Sequence, residues 1–402
     1  MPSKFSTLGA LLALLTPRVH ALFETTYHSS PLAIQPFTVL ERSPDYDPSN
    51  TTLFLTCPAG LNVVQPGPAI YKATGELVWA DPSLGGCNDL NFQEFDGQQY
   101  LTVWVGVGSA AGGGAGSGTA HLLNSNYEIV KNVSAVNPEG TDLHEFNIVK
   151  PANKTALVTA FLPVPLDLTS VGGLADGWYF NSIIQEIDIA TGRVLFNWTS
   201  VDHIALDESY NNLTLTGEGT SASNPWDAVH INSIDKDAAG DYLISARHTQ
   251  TIYKIDKNGT IVWRLGGKSS DFTAQSNNTE FHFQHHARWR MDDTQISLFD
   301  DGAAALGLSV IIINEPVATG KYLNIDQTAM TVSLANQFFP SPSRETAPCL
   351  RETARDAPET QRRSASVVRV DHLLIKCQSV GADGLSNGPA KQLSDGLEDW
   401  RK

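Results

Sequence analysis

Three histidines and an arginine stand out for the strings around them. They are His144 in Leu143-His-Glu-Phe146, His230 in Trp226-Asp-Ala-Val-His-Ile-Asn232, His285 in Gln284-His-His286, and Arg247 in Ser245-Ala-Arg-His248. Each histidine stands four residues before an apolar residue of a strand-like run, Ile148, Ile234 and Trp289 respectively. Near neutral pH an imidazole serves as nucleophile, general acid or base, or metal ligand, and a guanidinium holds an oxyanion. A metal would call for carboxylates at matching positions, and none is seen in that register, so neither a metal nor a cofactor is expected. Taken singly, each histidine reads as a strand cap or a packing residue. Only their convergence beside Arg247 makes a site.

That convergence needs a repeated element, and the sequence contains one. The strand-turn-strand strings Ile70 to Trp79, Ile187 to Trp198 and Ile252 to Trp263 share a Gly-containing turn and a closing Trp. Leu122 to Val130 and Leu323 to Leu334 are fainter copies. A second hairpin accompanies each: Asn91 to Val103, His144 to Thr159, His230 to Ser245, and His285 to Phe299. Two hairpins make a four-stranded sheet, and such sheets repeated about an axis make an all-β propeller, with equivalent residues on one circle. The competing reading is a β-sandwich or an unrelated run of hairpins. Four repeats and part of a fifth are legible, so about four to five blades and an incomplete ring are expected. Ala110 to Gly118 is too glycine-rich for a strand interior and reads as a mobile loop or a close backbone passage. After Pro340 the alternation stops, and 341–402 reads as a disordered Arg/Ser/Gly-rich tail.

Composition limits the partners. The 402 residues carry a net charge of −16, against nucleic-acid binding, and 41% hydrophobic residues suffice for a large core. Lys4, the apolar run Leu8 to Leu15 and Val19-His-Ala21 read as a signal peptide over 1–21, leaving 22–340 as the propeller domain. The apolar run is well short of the roughly 20 residues that span a bilayer. Sequons at Asn50, Asn132, Asn153, Asn197, Asn212, Asn258 and Asn277 fit a secreted, extracellular glycoprotein. In that oxidising setting Cys57 and Cys87 read as a disulfide, whereas Cys349 and Cys377 allow no pairing. Nothing in the sequence sets an oligomeric state.

The strings Trp226 to Ile234, Tyr242 to Ile255, Trp263-Arg-Leu-Gly-Gly-Lys268, Phe283-Gln-His-His-Ala-Arg288 and Ile296 to Gly302 resemble the arylsulfotransferase family, in its secreted fungal branch, over residues 50 to 340. The resemblance implies a six-bladed propeller that moves a sulfuryl group from an aryl sulfate ester to a phenol, without the nucleotide sulfate donor. It implies His285 as the nucleophile that becomes transiently sulfated, His230 and Arg247 as holders of the sulfuryl oxygens, and His144 as the residue assisting the phenol oxygen. His286 stands as the alternative nucleophile, since one residue of register exchanges which imidazole faces the axis. His286, Arg288 and Trp226 complete the substrate-binding candidates, and Trp226, with Trp178 and Trp289, either stacks on an aryl ring or fills the core. Family members continue past this chain's Pro340 with further blades. Two other function classes remain: a non-catalytic extracellular propeller binding glycans or partners, and a metal- or quinone-dependent oxidoreductase.

Overall fold

The computed structural model describes residues 25–27, 30–34, 53–59, 63, 65–72, 75–109, 114–306, 309–312 and 318–339. The expected leader, Asn50, Cys349, Cys377 and the segment 341–402 lie outside the described residues.

Five antiparallel sheets follow one another along the chain as propeller blades. The first has three strands, Leu53–Thr56, Ala69–Lys72 and Leu77–Ala80. The second runs Cys87–Phe95, Gln98–Gly108, Gly116–Leu123 and Ile129–Val133. The third runs Phe146–Ile148, Thr155–Leu166, Gly177–Asp188 and Val194–Thr199. The fourth runs Ile231–Lys236, Tyr242–Ala246, Thr251–Ile255 and Ile261–Gly266. The fifth runs His285–Arg290, Gln295–Asp300, Thr319–Asp326 and Thr331–Phe338, with Thr273–Ala274 added in parallel to its last strand. Among the four antiparallel strands of each of blades two to five, sequence order is spatial order, as the repeated hairpins require. The outer turns of blades three and four place Gly192 at φ +74° and Gly259 at φ +96°, a backbone region that side chains with a Cβ rarely enter. No helix among the described residues is long and apolar enough to cross a membrane.

The blades stack through apolar layers. Strand Tyr242–Ala246 is buried on both faces, so its alternate side chains serve two layers. Tyr242, Ile244 and Ala246 join Leu157, Ile184 and Trp198 of blade three, whereas Leu243 joins Ala287, Trp289 and Ile296 of blade five. Each large aliphatic side chain so buried contributes roughly 1.5–3 kcal/mol.

Polar side chains then lock the register of the innermost strands. Asp89 accepts the Phe146 N–H at 2.8 Å and Gln93 the Ile148 N–H at 2.7 Å. Glu145 accepts the Ile234 N–H at 2.9 Å, Ser233 the Ala287 N–H at 3.0 Å, and Asp235 the Trp289 N–H at 2.9 Å. A buried amide left without such an acceptor costs about 1–3 kcal/mol, so these contacts fix how one blade sits on the next.

Cys57 and Cys87 form a disulfide across 30 positions, tying the residue just past the first strand of blade one to the first residue of blade two. A cross-link of that span is worth about 3–4 kcal/mol on the chain-entropy account.

One expectation is corrected. Gly116 to Gly118 do stand inside a strand, Gly116–Leu123. The reason is the indole of Trp104, which packs against this backbone and donates from Nε1 to the Thr141 carbonyl at 2.9 Å. A Cβ on Gly118 would fall 2.7 Å from that ring and one on Gly116 2.9 Å from it, so only glycine lets the aromatic ring approach. The close-passage half of the reading is what the strand shows.

Candidate functional site

All three histidines enter at the start of an innermost strand. His144 lies two residues before Phe146–Ile148, His230 immediately before Ile231–Lys236, and His285 is the first residue of His285–Arg290. Repetition therefore brings them together. The His144 ring centroid is 5.0 Å from that of His230, edge-on, and 6.4 Å from that of His285. Arg247 follows strand Tyr242–Ala246, and its backbone N–H donates to the His230 carbonyl at 2.9 Å, so arginine and histidine are held on one blade. His230 is fully buried, Arg247 3% exposed and His285 4% exposed, which keeps bulk water from screening their charges. Phe161 walls one side, 5.4 Å from the His230 ring and 6.3 Å from the His144 ring. The Arg247 guanidinium lies 4.5 Å above the ring of Phe283.

Local structure explains the placement of His230. The segment 200–229, between blades three and four, is pinned by the backbone bonds Trp178 to Gly219, Trp226 to Trp178 and Phe180 to Trp226. His230 then turns at φ +57°, an uncommon conformation for a residue with a Cβ, and its Nδ1 lies 2.6 Å from an Asp227 carboxylate oxygen.

Each imidazole in fact has a carboxylate behind it, contrary to the expectation that none would match. His144 Nδ1 is 2.6 Å from Asp142, His230 Nδ1 is 2.6 Å from Asp227, and His285 Nδ1 is 3.1 Å from Asp301. The carboxylates come from the turns that enter the inner strands and, for Asp301, from just past the adjacent strand. Comparing strand positions alone therefore passed over them. The available signal was the short spacing in Asp142-Leu-His144 and Asp227-Ala-Val-His230. Asp142 is buried; against the upward push of that burial, His144 and the backbone donors of Gly116 and His144 hold its carboxyl below the usual range.

His285 Nδ1 lies between two acceptors, the Phe283 carbonyl at 3.0 Å and the Asp301 carboxylate at 3.1 Å. The neutral ring therefore carries its proton on Nδ1 and a lone pair on Nε2. Nε2 is buried and has no hydrogen-bond partner among the described residues. Burial, with Arg247 and His144 nearby, holds the His285 pKa below the ordinary value, and Asp301 only partly opposes this. The result is a neutral ring nitrogen within the electrostatic reach of Arg247.

Ligand atoms of Asp227, His230 and His248 lie within 4.8 Å of one another, a spacing that suits a cation. Arg247 already bears on those donors, however, at 3.1 Å from His248 Nε2 and 3.9 Å from Asp227. A guanidinium in that position favours an incoming anion over a metal ion.

The remaining candidates sit elsewhere. Trp226 is 1% exposed, packs edge-on against Tyr179 at 6.4 Å and donates to the Asn211 carbonyl at 3.0 Å, a core position. Trp289 packs edge-on against Trp263 at 6.0 Å, and Trp178 is half-buried with its backbone in the bonds above. Arg288 is engaged by Glu145 at 2.7 and 2.9 Å and by the Ile234 carbonyl at 3.1 Å. His286, half-buried, has Nδ1 3.2 Å from Arg288. His248, which drew no attention in the sequence, stands against Arg247.

A family model described as "Arylsulfotransferase (ASST)" matches residues 91–346. No curated protein matches the chain. Similar solved structures include a protein of unknown function from Bacteroides caccae, 15% identical, TM-score 0.38, covering 72% of this chain and 77% of that one. A hypothetical selenium-binding protein from Sulfolobus tokodaii is 10% identical, with TM-score 0.38, covering 68% of this chain and 60% of that one. A functionally unknown protein from Desulfotomaculum acetoxidans is 14% identical, with TM-score 0.33, covering 68% and 76%.

Proposed function

Because the chain belongs to the arylsulfotransferase family, we propose that the cluster of His285, His230, His144 and Arg247 transfers a sulfuryl group from an aryl sulfate ester to a phenol through a sulfo-histidine. The observation that supports this most is His285 Nε2, buried and without a hydrogen-bond partner among the described residues, on a ring whose pKa Arg247 helps to depress.

In the first half-reaction His285 Nε2 attacks sulfur and the bond from sulfur to the aryl oxygen breaks. The departing phenoxide takes a proton from His144. In the second, the acceptor phenol returns a proton to His144 as its oxygen attacks sulfur, and the S–N bond breaks. Sulfuryl transfer, like phosphoryl transfer, passes through a loose state with charge on peripheral oxygens, so positioned cations and donors supply most of the catalysis. We assign that work to Arg247 and His230, a reading supported by Asp227 standing 2.6 Å behind His230. Ping-pong kinetics follow, the donor phenol leaving before the acceptor binds.

The test is direct. Para-nitrophenyl sulfate with an added phenol should release para-nitrophenolate, and quenched protein should carry one sulfuryl group on the His285 peptide. Retention on a glycan array without release of nitrophenolate would instead support the non-catalytic reading.

We place the protein outside the cell, a reading supported by the disulfide and by the exposure of the sequon residues Asn132, Asn197, Asn212, Asn258 and Asn277. Asn153 is half-buried and donates to Glu94 at 2.9 Å. Protein expressed through a eukaryotic secretory route should lose mass on treatment with an N-glycosidase. An unchanged mass would count against the assignment.

A further inference from the structure

The geometry points to His248 as the positioning residue of Arg247, an inference that rests on the reading of Arg247 as the holder of the sulfuryl oxygens. Arg247 Nε and Nη2 lie 3.3 and 3.1 Å from His248 Nε2. A guanidinium only donates, so that nitrogen must accept, and the proton of the neutral ring must sit on Nδ1. The other side of the ring agrees, because Nδ1 lies 2.5 Å from the Asp227 carbonyl, which only accepts. Both edges of the imidazole thus demand the same tautomer, and the ring of one residue is folded back to hold the side chain of the residue before it.

The His248 backbone that carries the ring is anchored from two segments. The His248 N–H donates to the Val229 carbonyl at 2.9 Å, and its carbonyl accepts from Tyr210 at 2.7 Å. Around it stand the Asp227 carboxylate 3.6 Å from Nδ1, the His230 ring at 5.3 Å and the Phe283 ring at 5.5 Å. Phe283 also underlies the guanidinium, so Arg247 is confined by an aromatic face below and an acceptor nitrogen at its edge. Lysine in place of Arg247 would lose the fork that uses this acceptor. A long flexible cation is thereby fixed before any anion arrives, which spares the ordering cost at the moment of transfer.

Two variants separate positioning from packing. His248→Phe keeps ring volume without the acceptor, whereas His248→Gln offers a carbonyl to Arg247 and an amide to Asp227. We expect His248→Phe to lower kcat on para-nitrophenyl sulfate about ten- to a hundredfold with little change in KM, and His248→Gln to recover most of that loss. A His248→Phe protein that folds, by circular dichroism, and keeps wild-type kcat overturns the inference. Nitrogen-15 NMR of the histidine-labelled full chain is the second readout and needs no turnover. His248 should show a protonated Nδ1 and a bare Nε2 at neutral pH, and a protonated Nε2 overturns the inference. A wild-type protein without nitrophenolate release would refute the sulfuryl-transfer reading alone, and the NMR tautomer would still decide the contact.

Discussion

In the His285→Asn variant, kcat for sulfuryl transfer from para-nitrophenyl sulfate is expected to fall at least about a thousandfold, with no sulfo-histidine on the quenched protein. Asparagine keeps a polar group of similar reach but offers no nucleophilic ring nitrogen. The pH profile supplies a second readout. Burial first, then Arg247 and His144, depress the His285 pKa, so the attacking nitrogen stays neutral to lower pH than in an ordinary histidine. The acid limb of kcat/KM should accordingly lie below the usual histidine range and fall as pH drops through the depressed value. Asp301 pulls in the opposite sense, since its charge favours the imidazolium. Asp301→Asn should therefore displace the limb further toward acid, while the Phe283 carbonyl preserves the tautomer. If His285→Asn retains turnover and His286→Asn loses it, the nucleophile stands one residue along the strand.

Well above pH 8, where Glu145 is ionised, Arg288→Met is expected to cost about 3–5 kcal/mol of stability, read as a lowered urea midpoint, because it leaves a buried carboxylate without its cation, and the cost should shrink at lower pH as that carboxyl protonates. Arg288 binds both oxygens of Glu145 at 2.9 and 2.7 Å, with Glu145 2% exposed. The double variant Glu145→Gln, Arg288→Met should recover much of the loss, since the amide oxygen still accepts the Ile234 N–H and carries no charge to be left unpaired. A single variant as stable as wild type would show that the pair contributes nothing. The sign with pH follows from Glu145. Burial pushes its carboxyl up to about 8, Arg288 pulling down and Asp89 pushing up. The folded value exceeds the unfolded one, so this contribution is fully present below the ordinary carboxyl pKa and is lost as pH rises through about 8. Wild-type stability should decline over that window, and the double variant should lack this component. Glu145 also accepts the Ile234 N–H, so loosening it disturbs the strand that begins beside His230.

The blades were legible because their signals are local. Alternating apolar residues and a turn glycine are contained in a dozen residues, and the strings ending at Trp198 and Trp263 fold as the hairpins they resemble. The meeting of His144, His230 and His285 was legible for a different reason: repetition turns equal register into a common centre. Asp142 and Asp227 stood within two and three positions of their histidines, but the rest of what supports those rings was not legible, because it depends on contacts between strands and between blades. Glu145 and Arg288 are 143 positions apart, and no local pattern announces their pairing. Asp301 reaches His285 only once the neighbouring strand is in place. Gly116 to Gly118 misled for the same reason, since the indole that needs them belongs to another strand. Trp226, a stacking candidate by type, is sealed against Tyr179 once the segment before His230 is seated.

The register contacts between innermost strands share a direction. In every pair described above, the acceptor belongs to the earlier sheet and the donated N–H to the later one: Asp89 and Gln93 serve Phe146 and Ile148, Glu145 serves Ile234, and Ser233 and Asp235 serve Ala287 and Trp289. For these backbone amides, dependence runs from the amino end toward the carboxyl end, the order in which a ribosome delivers the polypeptide. Each finished sheet is a template already displaying the acceptors its successor will need, while the Arg288 guanidinium of the fifth sheet reaches back to clamp Glu145, the acceptor that serves the fourth.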